Sequence, residues 1–146
     1  MTNQEKKQWL LRYWDCRNDL DSLIEEQKEW RARVTRITPS LNGTPGGGSE
    51  RGATEAGAIK LAELDGEIDA QLSRCKAVRQ ETLSAIGRVK DPTLRSLLRL
   101  RYINALRFEK IADRMQYSVR WVLKLHGRAL DQLRVKEDME VHIDPW

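Results

Sequence analysis

Phenylalanine occurs once in this 146-residue sequence, cysteine twice and proline four times. Long stretches rich in Leu, Arg, Glu, Lys and Ala take up the space, a composition that favours helix over strand. Two cysteines cannot make a disulfide framework, and two Cys with two scattered His do not supply a metal-ligand set. Cys16 and Cys75 both fall on apolar stripes and read as buried reduced thiols. No apolar run approaches the roughly 20 residues that span a bilayer. The opening Met1-Thr2-Asn3-Gln4-Glu5 lacks the apolar core of a secretion signal, so a cytoplasmic location is expected. No nucleophile, acid or base is recognisably arranged around His126 or His142, so neither an enzyme nor a cofactor is expected.

Charge is present in quantity and unevenly placed. The net charge is only +4. Residues 1–90 hold 15 basic and 14 acidic side chains, whereas residues 92–136 hold 11 basic and 3 acidic. The last ten residues, 137–146, hold four acids and no Lys or Arg. A positive field confined to one third of the chain suits a module that meets a polyanion. It also suits a solvated basic face with no partner.

Residues 5–37 read as one helix. Trp9, Tyr13, Cys16, Leu20, Leu23, Gln27, Trp30, Val34 and Ile37 step by four and three alternately, the spacing of a coiled-coil seam. Leu10, Trp14 and Ile24 widen that stripe, so the helix should pack on more than one neighbour. Pro and Gly crowd residues 38–57, which read as a loop. Gly43 and Gly48 have the step of a phosphate-binding loop, but Ser49-Glu50 stands where that motif needs Lys then Ser or Thr. Residues 58–89 then repeat the three-four step through Leu61, Leu64, Ile68, Gln71, Cys75, Val78, Thr82, Ala85 and Val89. Matching seams on either side of a loop predict an antiparallel hairpin whose facing residues have numbers summing to about 92. That register sets Cys16 near Cys75 and Trp30 near Leu61 or Leu64.

The last third reads as a separate module, residues 91–136, with 137–146 as an acidic tail. Asp91 and Pro92 are an N-cap and a first helical residue. A helix over 92–104 offers Leu94, Leu97, Leu98, Tyr102 and Ile103 to a core. After a break at Asn104-Ala105-Leu106, Phe108, Ile111, Ala112 and Met115 form one face of a two-turn helix. Gln116-Tyr117-Ser118 is a turn, with Ser118 placed to cap a helix from Val119 to about Arg134. At about 100° per residue, Arg120, Lys124 and Arg128 fall within roughly 80° of one another, with Trp121 at the border. Val119, Val122, Leu123, Leu125, His126, Ala129, Leu130 and Leu133 make a broad apolar arc opposite. The arc would anchor the helix and the basic face would enter the major groove of DNA. Candidate DNA contacts are Arg107, Arg114, Tyr117, Ser118, Arg120, Trp121, Lys124 and Arg128. His126, within the arc, is expected to be buried and hydrogen-bonded.

Residues Leu97 to Ile103, Phe108 to Ala112, Tyr117-Ser118 and Val122 to Leu133 together resemble region 4 of sigma-70-type factors. Arg101-Tyr102-Ile103 and Leu125-His126-Gly127-Arg128-Ala129-Leu130 are similar to stretches of ArpU- and RinA-type late-operon regulators of phages and prophages. The likeness is close over 91–134 and only architectural before it. Arg107 departs from the small hydroxyl cap common in such modules, and Gln116 from the glycine common in their turn. The resemblance implies an all-α protein: a long helical hairpin followed by a helix-turn-helix. It implies a transcription regulator that binds double-stranded DNA, works near RNA polymerase and self-associates through its N-terminal helices. A small terminase-type packaging subunit and a polymerase-binding adaptor without DNA affinity are the competing readings.

Overall fold

The computed structural model describes the backbone of residues 1–41 and 48–135 and the side chains of 1–36 and 55–135. Gly43, in the segment expected to be a loop, and the acidic tail with His142 therefore lie outside the described residues. Among those described, all regular structure is helical and no strand occurs. Helix α1 spans Asn3–Leu41, α2 Gly48–Gly87, α3 Pro92–Leu98, α4 Phe108–Met115 and α5 Val119–Gln132. Between α3 and α4, Arg99–Ile103 forms a wider π-helical turn. No described helix is long and apolar enough to cross a membrane.

Both long helices run further than the sequence pattern indicates. The loop expected over 38–57 is instead helical through Leu41 and again from Gly48. Pro39 lies within the last turn of α1, so its missing N–H removes only one bond, near the helix end. The start of α2 contains Glu, Arg and Ala, which favour helix, among its glycines. Gly57 has a packing reason. A Cβ built there would sit 2.6 Å from Val34 Cγ2, so the Val34 side chain fills the space a side chain at 57 would need.

Close contacts divide the chain into two compact units, residues 16–74 and residues 1–15 with 75–135. The division falls within α1 and α2, not at residue 90. In the first unit the contacts run in opposite chain directions. Gln27 bonds Asp65, Val34 faces Gly57, Gln71 Nε2 donates to the Cys16 carbonyl at 3.0 Å, and Lys60 lies 3.8 Å from Glu26. The first two fall on or within one residue of the expected register; the others miss it by five and six residues, about one and a half helical turns. Leu64 is fully buried, while Leu20, Leu23, Ile24 and Trp30 stay half-buried. Cys16 is half-buried rather than buried, and neither it nor the buried Cys75 is in a disulfide.

The second unit holds the main core. Leu10 of α1, Ala85 and Ile86 at the end of α2, and Val89 just beyond it join Leu94, Leu97 and Leu98 of α3, Tyr102 and Ile103, Ile111 and Ala112 of α4, and the inner face of α5. Asp91 starts α3 as a side-chain cap: its Oδ1 accepts from Thr93 N at 2.9 Å and Leu94 N at 3.4 Å. The helix expected to reach residue 104 keeps α geometry only to Leu98. Beyond it, Asn104 N donates to Arg99 O and Leu106 N to Leu100 O. The extra room matches outside partners for this segment: Trp14 Nε1 donates to Tyr102 O at 3.1 Å, and Arg101 Nη1 to Leu106 O at 3.0 Å.

Candidate nucleic-acid interface

Helices α4 and α5 pack on one another, and α5 also packs on α3. The link between α4 and α5 is set by two residues. Gln116 takes a left-handed conformation, φ 61° and ψ 41°, and Tyr117 N donates to Ala112 O at 2.9 Å, closing α4. Glycine would hold that conformation without steric cost; this chain holds it with glutamine. Ser118 is extended, and its Oγ accepts from Trp121 N at 3.1 Å, the cap expected for α5. At the start of α4, Arg107 stands at the cap position and makes no side-chain cap bond, leaving Glu109 in the first turn to offset the helix dipole.

The candidate contacts are all solvent-exposed: Arg107, Arg114, Tyr117, Ser118, Arg120, Trp121, Lys124 and Arg128. They do not form one constellation. Arg120, Trp121, Lys124 and Arg128 share the outer face of α5, and Ser118 sits at its cap. Arg107 and Arg114 belong to opposite ends of α4, and Tyr117 lies in the turn. The Arg128 guanidinium lies 5.2 Å from the Trp121 ring centroid, a cation–π contact that biases its direction along the helix. Among the described residues, no carboxylate pairs with Arg107, Arg114, Arg120, Lys124 or Arg128. Their charge is therefore available to an external anion.

The inner face of α5 rests on an aromatic stack. His126 is buried, with Nε2 2.7 Å from the Tyr102 hydroxyl. Its ring stacks on Tyr102 at 5.8 Å and meets the edge of Phe108 at 5.0 Å. Arg101 continues the stack, its guanidinium 4.2 Å from the Phe108 centroid and 4.8 Å from that of Trp14. Burial, helped by the positive charges of Lys7 and Arg101, pushes His126 down to about 4. Burial pushes Tyr102 up to about 12, against a smaller opposing pull from Arg101. Both groups are therefore neutral at pH 7, and the charge within the stack is that of Arg101.

In comparisons with protein-family models, with curated proteins and with solved structures, nothing matches the chain. The site is therefore read from its own geometry.

Two features of α5 correct the sequence reading. Val119 and Leu123, assigned to the anchoring arc, are 37% and 49% exposed. The buried arc is narrower, comprising Val122, Leu125, His126, Ala129 and Leu130, with Leu133 buried at the C-cap, because α3 and α4 cover only one side of the helix. The helix also ends at Gln132 rather than about Arg134. Its C-terminal end is held by residues no local pattern marks: Lys6 Nζ donates to Leu130 O at 2.9 Å, and Asn3 Nδ2 to Asp131 Oδ1 at 2.7 Å. The ammonium there also suits the negative end of the helix dipole. An open cleft of about 520 Å³ at this end, lined by Arg88, Lys90, Asp91, Asp131, Gln132 and Arg134, contains none of the candidate contacts.

Proposed function

We propose that this protein is a sequence-specific DNA-binding transcription regulator of phage or prophage type, not an enzyme, acting in the cytoplasm of a bacterial host. In this reading a helical hairpin precedes a sigma-70 region 4-like helix-turn-helix, and α5 reads the major groove. One observation carries it: the exposed stripe of Arg120, Lys124 and Arg128, with no carboxylate partner among the described residues, on a Ser118-capped helix whose opposite face is buried. A helix anchored on one side and basic on the other fits a groove about 12 Å wide, where Arg and Lys reach guanine edges and phosphates. The half-buried apolar side chains of residues 16–74 suit self-association, and RNA polymerase is a further partner of this reading.

The test is a titration on random genomic fragments at low and physiological salt, with sequencing of the retained DNA. One enriched motif, with affinity falling steeply as salt rises, is the expected result. Arg120→Ala or Lys124→Ala should then weaken binding to that motif by about 1–3 kcal/mol where the side chain meets a base edge. Salt-sensitive binding with no enriched motif would favour a packaging role instead. Absence of binding at either salt would favour a polymerase adaptor, and unchanged binding in both variants would refute this choice of face.

A further inference from the structure

Gly127 lies in the interior of α5, where glycine is unfavourable relative to alanine. Nothing within the fold calls for it: a Cβ at this position would meet no atom within 4 Å, and the backbone there is ordinary helix. At about 100° per residue, Gly127 projects only some 20° from Arg120. On the helix surface its neighbours are Leu123 and Lys124, one turn toward the N-terminus. Leu123, 49% exposed, is the most exposed large apolar side chain of α5, and Val119 lies one turn further back on the same row. Leu123 lies about 60° from Arg120, and Val119 about 100°, on the side away from Lys124 and Arg128. The cationic face is thus bordered, next to Arg120, by an exposed leucine followed by a dent.

Resting on the reading of α5 as the groove-binding helix, we propose that Val119 and Leu123 contact thymine methyl groups and that Gly127 admits the adjoining sugar-phosphate wall. This row makes the protein select thymine beside the bases read by Arg120 and Lys124. The chemistry fits on three counts. The first two turns of such a helix lie nearest the bases. The thymine C5-methyl is the one apolar group on the major-groove edge, and an exposed aliphatic side chain gains by meeting it. Gly127 falls about 6 Å along the axis beyond Leu123, where a helix crossing the groove meets the backbone. The flanking Lys124 and Arg128 supply the charge that draws the phosphates in.

The experiment uses the full chain and the fragments it retains, made either with thymidine or with deoxyuridine, which lacks only the methyl. The wild type should bind the deoxyuridine DNA about five- to tenfold more weakly, and Leu123→Ala should bring that ratio close to one. Gly127→Ala should raise the melting temperature yet lower DNA affinity at least fivefold, a split that a purely structural glycine does not give. Equal binding of both DNAs by a wild type that binds DNA would overturn the inference alone. A ratio unchanged by Leu123→Ala, or a Gly127→Ala variant that is stabilised with full affinity, would also overturn it. A wild type that binds no DNA would instead remove the reading on which it rests.

Discussion

His126 shows how one side chain can be placed correctly from sequence and still have a chemistry decided by its surroundings. Its position on the apolar arc was legible from spacing. Its partner was not, since Tyr102 is 24 residues away and lies on the π-helical turn. The consequence is a pH dependence. An unfolded chain protonates this imidazole near pH 6.5, whereas the folded protein does so only near pH 4. Its contribution to stability is complete above pH 6.5 and declines as pH falls through that window toward 4, by on the order of 3 kcal/mol in all. Below pH 4 both states carry the proton and no further loss arises from this group. An NMR titration of the His126 ring should place its midpoint well below 5.5; a midpoint near 6.5 would show that the ring is not sequestered. The left-handed Gln116 is the complementary case. The chain position of the turn was legible, and the backbone angle was imposed by closure of α4 against α5.

At the scale of elements, helix type and order followed from periodicity, and α4 and the start of α5 were read to the residue. The ends of the long helices were not. Counting Pro and Gly over 38–57 overestimates the break, because a glycine can mark close packing as well as chain flexibility. Gly57 separates the two meanings. Gly57→Ala should lower stability by about 1–2 kcal/mol, since the strain of a methyl against the stiff Val34 outweighs the gain in helix propensity. Adding Val34→Ala should recover most of that loss in urea melts. If Gly57→Ala were stabilising by itself, the close approach of these helices would be wrong. The exposed Val119 and Leu123 have a related origin: periodicity assigns a residue to a face, but the extent of the cover depends on which helices pack there.

At the scale of the molecule, the 91–136 segment looks self-sufficient in sequence, with its own cap, apolar faces and charge. Its core is nevertheless completed by chain that is distant in sequence. Leu10 is fully buried among α2, α3 and α5 residues, Trp14 bonds the Tyr102 carbonyl, and Lys6 holds the end of α5. Leu10→Ala should therefore destabilise the C-terminal helices by about 2–5 kcal/mol, as a cavity in a closed core does. Urea unfolding would measure it; a change below about 0.5 kcal/mol would mean that the C-terminal helices do not depend on α1. The exposed Arg12–Glu81 pair between α1 and α2, at 3.0 Å, should matter far less.

The sequence by itself determined the helical class, the caps at Asp91 and Ser118, the buried stripe of α4 and the gathering of Arg120, Lys124 and Arg128 on one side of α5. These depend on neighbours within a few residues, where spacing along the chain is spacing in space. Tertiary structure alone decided that α1 and the end of α2 close the core around α3 to α5. It also decided that Arg99–Ile103 widens, that His126 is neutral against Tyr102, and that Leu123 is left uncovered at the border of the cationic face. Each of these depends on contacts between residues far apart in the chain, or on surface left uncovered after packing, and local periodicity carries no record of either.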